Sequence, residues 1–310
     1  MYPLNANSHK SYNLLVVLLI PAIIALAGVL HPVTAYANGD ALTAQSAMIQ
    51  PQDKMQTVWV VAKKTVKNKY FGEKKTTSFS YNDEGLVSQE KVKQFFDGKF
   101  NGEGTTEYTY ENGAVKKAVA VNALCDGNAF GYYTKEYTVK NGRIAQGTCR
   151  SSGFSGKATN TYSYNSGNVS KCVYAATGTK FKKTSSFTRD KAGRVTRTET
   201  KGSTWGIGSV SEFKYDKKGN LKKVHDYSGQ RYSFKNTYDK HGRLVKSAYR
   251  DYNGAHTTTF VYKKVRIAAD FREKVVAQRW EIINNHDRNW SDDTSNFSLG
   301  SGLFINSTSG

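Results

Sequence analysis

Short alternations of apolar and polar residues recur along most of the chain. In four of them two aromatic side chains stand two residues apart with a polar residue between them, as in Phe79-x-Tyr81 and Phe213-x-Tyr215. Alternation with a period of two, enriched in aromatic and β-branched residues, is typical of a half-buried β-strand. The pattern therefore predicts a long series of strands.

A turn containing glycine follows each of these strands. Aligning the turns on the glycine gives successive intervals of 28, 29, 25, 26, 26 and 23 residues, a spacing that indicates a repeat array. An aliphatic residue stands two positions after every glycine, where the next strand begins. The turn glycines are Gly85, Gly113, Gly142, Gly167, Gly193, Gly219 and Gly242. The aliphatic residues are Val87, Val115, Ile144, Val169, Val195, Leu221 and Leu244.

This repeat predicts an all-β fold of tandem antiparallel β-hairpins, with seven to eight units of about 23 to 29 residues forming an extended or curled sheet. An Asn-Gly tip, as at Gly113, suits a tight type I′ turn. In longer tips such as Asp216 to Gly219, Asp caps the backbone and Gly takes the left-handed position. The eighth unit, Phe260-x-Tyr262 with Ile267, lacks the glycine.

Two units carry a more specific motif. Tyr215 to Leu221 (Y-D-K-K-G-N-L) and Tyr238 to Leu244 (Y-D-K-H-G-R-L) resemble the Tyr-Asp-x-x-Gly-Arg-Leu core of the YD-repeat family, which includes rearrangement-hotspot (Rhs) proteins and teneurins. A third unit, Asp190 to Val195, is similar but has Arg189 in the tyrosine place. The resemblance implies a curled sheet that can enclose cargo. However, this chain is short for a full shell and lacks the Asp-Pro-x-Gly junction that precedes Rhs toxin domains.

Residues 1–37 have the pattern of an export signal. The apolar core runs from Leu14 to Leu30, and Ala35-Tyr36-Ala37 supplies the small-x-small cleavage pattern. We predict cleavage before Asn38. Retention as a membrane anchor is the alternative, because the apolar run approaches the ~18 residues of a membrane span. The expected location is secreted or at the cell surface, with membrane contact only through this signal.

The rest of the chain divides by composition. Residues 38–55 are predicted to be a flexible lead, residues 56–267 the repeat domain, residues 268–283 a capping element and residues 284–310 a flexible tail. Within the repeat domain, residues 57–66 should form an opening strand that covers the first hairpin. The capping element fits neither the helical nor the strand period cleanly, so both alternatives remain open.

Three cysteines, Cys125, Cys149 and Cys172, are 24 and 23 residues apart, which excludes a CxxC metal or redox motif. Cys149 and Cys172 fall on equivalent strands of neighbouring units. A strand between them would hold their backbones about 9.5 Å apart, beyond disulfide reach. A Cys125–Cys149 disulfide is therefore predicted, with three buried thiols as the alternative.

No motif in the sequence indicates catalysis, a cofactor or a metal. None of the six histidines lies in an HExxH motif, and Gly-x-Ser-x-Gly is absent. Asp216, Asp226 and Asp239 are accounted for as turn residues before an acid–base pair is considered. We therefore expect a protein without catalytic residues, cofactors or metals. An enzyme site assembled from loops, such as residues 149–156 or 202–208, is the alternative.

Positive charge is concentrated in the second half of the repeats. The net charge is +20, and between Lys180 and Arg250 there are 19 bases and 6 acids, a surplus that attracts anionic partners. A long polar side chain stands four residues after every turn glycine. On a regular strand this row would share a face with the aliphatic residue two positions earlier. The row consists of Gln89, Lys117, Gln146, Lys171, Arg197, Lys223 and Lys246.

The basic row predicts a surface that binds anionic cell-envelope polymers or glycans. The candidate ligand-binding residues are Lys117, Lys171, Arg197, Lys223, Lys246 and, for sugar stacking, Trp205. The alternative for the row is packing, in which cationic stems cover apolar surface. The alternative for the protein is a scaffold or partial shell that holds a partner protein. No specific nucleic-acid partner is expected, because the chain is predicted to be exported.

Overall fold

The structure is a computed structural model that describes residues 54–111, 113–124, 129–140, 143–151, 154–165, 168–177, 182–202 and 208–284. Within these ranges the chain forms seventeen β-strands followed by one 3₁₀ turn and one α-helix. The predicted all-β hairpin fold is confirmed. The strands are β1 (Met55–Asn68), β2 (Glu73–Tyr81), β3 (Val87–Phe96), β4 (Lys99–Glu111), β5 (Ala114–Leu124), β6 (Ala129–Lys140), β7 (Arg143–Ser151), β8 (Phe154–Asn165), β9 (Asn168–Ala176), β10 (Lys182–Arg189), β11 (Val195–Gly202), β12 (Ser209–Tyr215), β13 (Leu221–His225), β14 (Arg231–Ser233), β15 (Lys235–Tyr238), β16 (Leu244–Asp251) and β17 (Gly254–Ala268). The 3₁₀ turn is Ala269–Phe271 and the helix α1 is Arg272–Asn284.

The sheet closes into a ring. Consecutive strands pair antiparallel, and β1 pairs with both β2 and β17. β14 and β15 belong to one extended segment that is interrupted at Phe234. The first part of this segment pairs with β13 and the second part with β16, and the Phe234 N–H donates to the Lys222 carbonyl at 2.9 Å. The ladder therefore returns to the strand where it started.

The last strand explains why the eighth unit has no turn glycine. β17 runs straight through Phe260, Tyr262 and Ile267, and it pairs with β1 along its length, with Ala268 opposite Met55. Because its next partner is the first strand of the ring, no further hairpin is required. The predicted opening strand is β1, which covers the first hairpin on one side and the last strand on the other.

Helix α1 lies across one end of the ring. In a meander every second turn falls at the same end. The turns with the repeat glycines that the structure describes lie at this one, which we call the helix end. The Gln278 side chain accepts from the Val87 N–H at 2.9 Å and donates to the Tyr110 hydroxyl at 3.1 Å. On the other side, the Asn284 side chain accepts from the Leu221 N–H at 2.8 Å. The segment for which the sequence left helix and strand open is thus largely helical, and it bridges the first hairpins to a late one.

The core occupies the inner face of the ring and reaches the helix end. The aliphatic residues that follow the turn glycines are at most 5 % exposed. They pack in one cluster with the strand aromatics and with Ile282 and Ile283 of α1. The repeat period therefore corresponds to one buried aliphatic residue for each hairpin.

The repeat tyrosines connect neighbouring hairpins through what we call the tyrosine ladder. In five repeats the hydroxyl donates to the backbone carbonyl of the aliphatic residue about 20 positions earlier, one hairpin back. Arg189 stands in the tyrosine place of its repeat, and its guanidinium donates to the Val169 carbonyl at 3.3 Å in the same way. The hydroxyl bonds are Tyr81 to Val61 (2.6 Å), Tyr110 to Val87 (2.7 Å), Tyr164 to Ile144 (2.8 Å), Tyr215 to Val195 (2.7 Å) and Tyr262 to Leu244 (2.7 Å).

Removing one ladder hydroxyl should weaken the sheet measurably. Tyr215→Phe keeps the ring but leaves the Val195 carbonyl without this bond, and we expect a loss of about 1–2 kcal/mol in the free energy of unfolding. Denaturant titration followed by circular dichroism measures this change. Tyr252→Phe is the matched control, because Tyr252 is 76 % exposed. Equal stability of the two variants would show that the ladder bond contributes nothing.

Candidate functional site

The aspartates of the repeats cap their own turns. Oδ1 of Asp216 accepts from the N–H groups of Lys218 (2.9 Å) and Asn220 (3.0 Å), and the same pair of bonds recurs at Asp190, Asp226 and Asp239. The repeat glycines in the described ranges have φ between 72° and 81°, which suits glycine because it has no Cβ. These are Gly85, Gly113, Gly193, Gly219 and Gly242. Gly142 and Gly167 lie outside the described residues.

The arginine of the Gly-Arg-Leu motif binds the other oxygen of the same aspartate. Arg243 Nε donates to Asp239 Oδ2 at 2.6 Å, and its guanidinium lies 5.1 Å from the ring centre of Tyr262 in the next strand. Arg194 does the same with Asp190 (2.7 Å) and Tyr215 (4.8 Å). Each Arg thus joins its own turn to the tyrosine of the next hairpin.

The unit that has Asn220 in place of this arginine forms different hydrogen bonds around its aspartate. Asn220 leaves Asp216 Oδ2 available, and this oxygen accepts from the Tyr238 hydroxyl and from Asn236 Nδ2, the latter at 2.9 Å. Burial and this bond to Asp216 together raise the pKa of Tyr238 to about 12. Tyr238 therefore bonds to a carboxylate rather than to a carbonyl and is neutral at physiological pH.

The motif residues hold their charge states near neutral pH. At Asp239, burial acts to raise the pKa, but the hydrogen bonds from Arg243 and from the turn N–H groups outweigh it and lower the pKa to about 2. Burial raises the pKa of Tyr215 well above its usual range and lowers the pKa of Arg189 to about 10. None of these three groups therefore changes its charge near pH 7.

The basic row lies on the outer face of the ring, so the prediction that it shares a face with the aliphatic residues is wrong. Every repeat contains a β-bulge between these two positions. In one example Tyr215 pairs with Leu221, and Lys214 pairs with Lys223, which leaves Lys222 as the extra residue. A bulge shifts the alternation by one, so Leu221 points into the core while Lys223 points outward. The residues left over in the seven repeats are Ser88, Lys116, Ala145, Ser170, Thr196, Lys222 and Val245.

Acidic neighbours interrupt the row. Lys117 Nζ lies 3.9 Å from the carboxylate of Glu136. Arg197 lies 3.3 Å from Glu212 and 3.8 Å from Glu199. These two predicted ligand-binding cations are therefore partly neutralised by glutamates on the same face.

The remaining candidates, Lys171, Lys223 and Lys246, are exposed and make no ion pair with the described residues. The structure adds two further lysines, which sequence reasoning missed. Lys214 lies directly opposite Lys223, and Lys235 points outward from β15 opposite Ala248.

Four of these lysines form one patch, which we call the outer basic face: Lys214, Lys223, Lys235 and Lys246. They occupy the neighbouring strands β12, β13, β15 and β16, so the patch spans about 15 Å across the ladder. Lys171 stands apart on β9. Lys214 and Lys235 can be recognised only from the pairing of residues across neighbouring strands. That pairing can be assigned only after the bulge in each hairpin has been located.

Two sequence candidates fall outside the described residues, namely Trp205 for sugar stacking and Cys125 of the predicted disulfide. The proposed partner of Cys125, Cys149, is buried on β7 opposite Ala158. The Cys125–Cys149 disulfide stays a prediction.

His256 is held in place by contacts within the sheet. His256 Nε2 lies 2.9 Å from Asp251, and its ring stacks on Tyr249 at 4.5 Å. No group of three histidine, cysteine or acidic side chains within the described ranges is arranged to hold a metal ion. Among the same residues, no helix is both long and apolar enough to cross a membrane.

Comparison with known families identifies the repeats. The family model described as RHS Repeat matches residues 215–255, the segment that contains both of the motif-bearing turns at Gly219 and Gly242. Residues 215–255 carry RHS repeats. This confirms the resemblance predicted from the sequence for these two units, and the tyrosine ladder and the Asp–Arg pairs show what the recurring residues do in this chain.

Solved structures give distant similarities. A porin-like protein from Bacteroides uniformis is 12 % identical, with 66 % of this chain and 98 % of that chain covered and a TM-score of 0.44. A porin-like protein from Bacteroides vulgatus is 10 % identical, with the same coverage and a TM-score of 0.35. The TcdB2–TccC3–Cdc42 structure is 13 % identical, with 62 % of this chain but 13 % of that chain covered and a TM-score of 0.27. No curated protein matches the chain. At these scores the alignments carry no information about function.

Proposed function

We propose that this RHS-repeat protein is an exported, non-enzymatic binding protein that holds an anionic cell-envelope polymer or glycan against its outer basic face. The observation that supports this most directly is the pairing of Lys214 with Lys223. Like charges placed directly opposite each other destabilise a sheet, so this pair costs stability in the free protein. A bound anionic group between the two ammonium groups removes the repulsion.

The geometry suits a chain rather than a single small anion. The four lysines are spread over neighbouring strands of a rigid sheet, so each can contact a different charged group of one polymer. Binding releases the polymer's condensed counterions, and this release makes the affinity strongly dependent on salt. The surrounding surplus of positive charge draws the polymer toward this side of the ring.

Replacing three lysines of the face tests the proposal. In the variant Lys214→Gln, Lys223→Gln, Lys246→Gln, we expect the affinity for heparin and for long-chain polyphosphate to fall about ten- to a hundredfold at low salt. The slope of log affinity against log salt should also become shallower. Isothermal titration calorimetry at several salt concentrations measures both quantities.

A second triple variant removes the same net charge elsewhere. Lys91→Gln, Lys116→Gln, Lys117→Gln changes three exposed lysines that already lie within 4 Å of glutamates, and we expect a much smaller loss of affinity. Exposed ion pairs contribute only about 0–1 kcal/mol each, so both variants should remain folded. Equal losses in the two variants would show that net charge alone, and not this face, attracts the polymer.

A scaffold that holds a partner protein is the second candidate function. The hydrogen bonds of the motif residues support this function. The repeat tyrosines, aspartates and arginines bond to other groups of the sheet and stabilise it, as expected of a scaffold. Capture of secreted proteins by the unaltered chain and by the outer-face variant distinguishes the two functions. A protein that is retained equally by both, and at high salt, favours the scaffold.

A further inference from the structure

Exposed aromatic side chains gather at the end of the ring opposite the helix, which we call the far end. Among the residues whose side chains the structure describes, the six large aromatic residues that are exposed lie in or beside far-end turns. At the helix end the turn tips carry residues such as Glu84, Lys217 and His241. The six aromatics are Tyr70, Phe71, Phe96, Phe100, Tyr227 and Tyr252. Clustered exposed apolar surface of this kind marks an interaction site.

Five of the six belong to three turns that are joined to one another. The Lys69 N–H donates to the Ala255 carbonyl at 3.2 Å, and the Asp97 N–H donates to the Gly72 carbonyl at 3.1 Å. The turn at residues 69–72 is thus tied to the neighbouring turn on each side. We call the five residues of these turns the aromatic rim: Tyr70, Phe71, Phe96, Phe100 and Tyr252.

The rim is held rigidly although its rings are exposed. The Asn68 side chain accepts from the Tyr70 N–H at 3.0 Å, and the Asp251 side chain accepts from the Asn253 N–H at 2.8 Å. The backbone at Gly254 passes so close to Tyr70 that an added Cβ would lie 3.2 Å from the Tyr70 Cβ. The aromatic tips therefore project from turns whose backbone is already held in place, so that binding has to order only the side chains.

Cations surround the rim. The exposed bases within a few residues of its turns are Lys67, Lys69, Lys74, Lys99 and Arg250. Asp97 is an exposed acid in the same turns. Glu73, beside them, is half-buried and accepts from Gln94, and the Asp251 side chain is buried against His256. The charge of the rim is complementary to an anionic surface, and it opposes end-to-end pairing with a second copy of the chain.

The orientation of the rings disfavours sugar stacking. Tyr70 and Phe71 meet at 90°, and Phe100 meets Phe95 at 71°, so neighbouring rings do not form one flat platform. Three of the five rim residues are phenylalanines, which offer no hydrogen bond to a sugar hydroxyl. Convex aromatic tips flanked by lysines are instead the arrangement found at membrane–water interfaces, where rings sit at the level of the headgroups and cations contact lipid phosphates.

We propose that the aromatic rim docks this protein, by its far end, onto an anionic lipid surface. The rings enter the interfacial layer, and the flanking lysines contact lipid phosphates. This contact is separate from the outer basic face, which lies on the wall of the ring, and it is additional to any contact made by the N-terminal apolar segment.

A reporter at the rim tests the proposal in the full chain. Tyr252→Trp places an indole at the most exposed rim position. We expect its emission, taken as the difference from the unaltered chain, to shift to shorter wavelength with vesicles of phosphatidylcholine and phosphatidylglycerol. Brominated lipid in those vesicles should quench it. Vesicles of phosphatidylcholine alone should give a much smaller change. Because the signal comes from residue 252, membrane binding by another segment does not produce it.

Vesicle flotation with matched variants provides the second measurement. Tyr70→Ser, Phe71→Ser, Tyr252→Ser should lower binding to anionic vesicles at least about tenfold, with an unchanged circular dichroism spectrum and unchanged heparin affinity. Met55→Ser, Val139→Thr, Val261→Thr removes exposed apolar side chains away from the far end and should bind as the unaltered chain does.

Four results would overturn the proposal. The first is an indole at position 252 that is not quenched by brominated lipid. The second is a rim variant that binds anionic vesicles normally. The third is a rim variant that loses binding to an uncharged polysaccharide but binds vesicles as the unaltered chain does. This result would show that the rim binds glycans. The fourth is self-association that disappears in the rim variant without any lipid binding, which would make it a contact between copies.

Discussion

Leu221→Ala is expected to lower the free energy of unfolding by about 3 kcal/mol, because a buried leucine truncated to alanine loses its transfer free energy and leaves a cavity. Leu221 is 1 % exposed and packs in the same cluster as Phe213, Val224 and Ile282. The bulge at Lys222 fixes its inward direction, so the neighbouring side chains cannot replace it by a change of register. Urea titration followed by circular dichroism measures the change.

Val261→Ala is the control for this substitution. Val261 lies on β17 and is 57 % exposed, so truncating it removes little buried surface, and we expect a change within about 0.5 kcal/mol. A loss below about 1 kcal/mol for Leu221→Ala would mean that the aliphatic residues of the repeat do not carry the core. That result would contradict the packing described above.

Gln278→Leu is expected to destabilise the protein by about 2–4 kcal/mol, although it makes a buried residue more apolar. Gln278 is 1 % exposed, and its side chain is the acceptor for the Val87 N–H and a donor to the Tyr110 hydroxyl. Leucine can make neither bond. A buried polar group left without its partner costs about 1–3 kcal/mol, and here two groups are affected.

The exposed neighbour Glu273 provides the comparison for this variant. Glu273→Leu adds a similar side chain to the same helix without removing a bond to the ring, and it should change stability by no more than about 0.5 kcal/mol. Thermal and urea unfolding of the two variants, compared at equal protein concentration, decide the result. If Gln278→Leu is as stable as the unaltered chain, α1 is held by apolar packing alone and its polar bonds to the turns are not required.

Much of the fold could be predicted because each hairpin is encoded locally. The Tyr-Asp motif, the turn glycine and the aliphatic residue stand within seven positions of one another, as in Tyr215 to Leu221. A turn and the two strand ends beside it depend on neighbours in the chain, so their signals survive in the sequence. The helix α1 could not be assigned in this way. Its buried Gln278 and Asn284 satisfy backbone groups of the turns, and such polar positions disturb the apolar period from which a helix is recognised.

The candidate site was predicted in part. The interval of four residues selects exposed lysines without an ion pair to the described residues, such as Lys223 and Lys246, and it also selects Lys117 and Arg197, which have glutamate neighbours. Lys214 was missed because it belongs to the strand before the turn. It joins Lys223 only through the ladder register. Whether a lysine is open to a ligand depends on the residue across the strand, and the sequence interval does not contain that residue.

The sequence by itself determined the repeat, the turns, the strand order and the positive charge, because each follows from residues close together in the chain. The tertiary structure decided three further features. It closed the ring by pairing β1 with β17, whose residues are about 200 positions apart. It placed α1 across the helix end. It also placed the basic row on the outer face. The bulge in each hairpin adds one unpaired residue, and the side chains after it therefore point to the opposite face of the sheet. A bulge has no residue type of its own here, as Ser88, Lys116 and Val245 show, and only the pairing of whole strands reveals it.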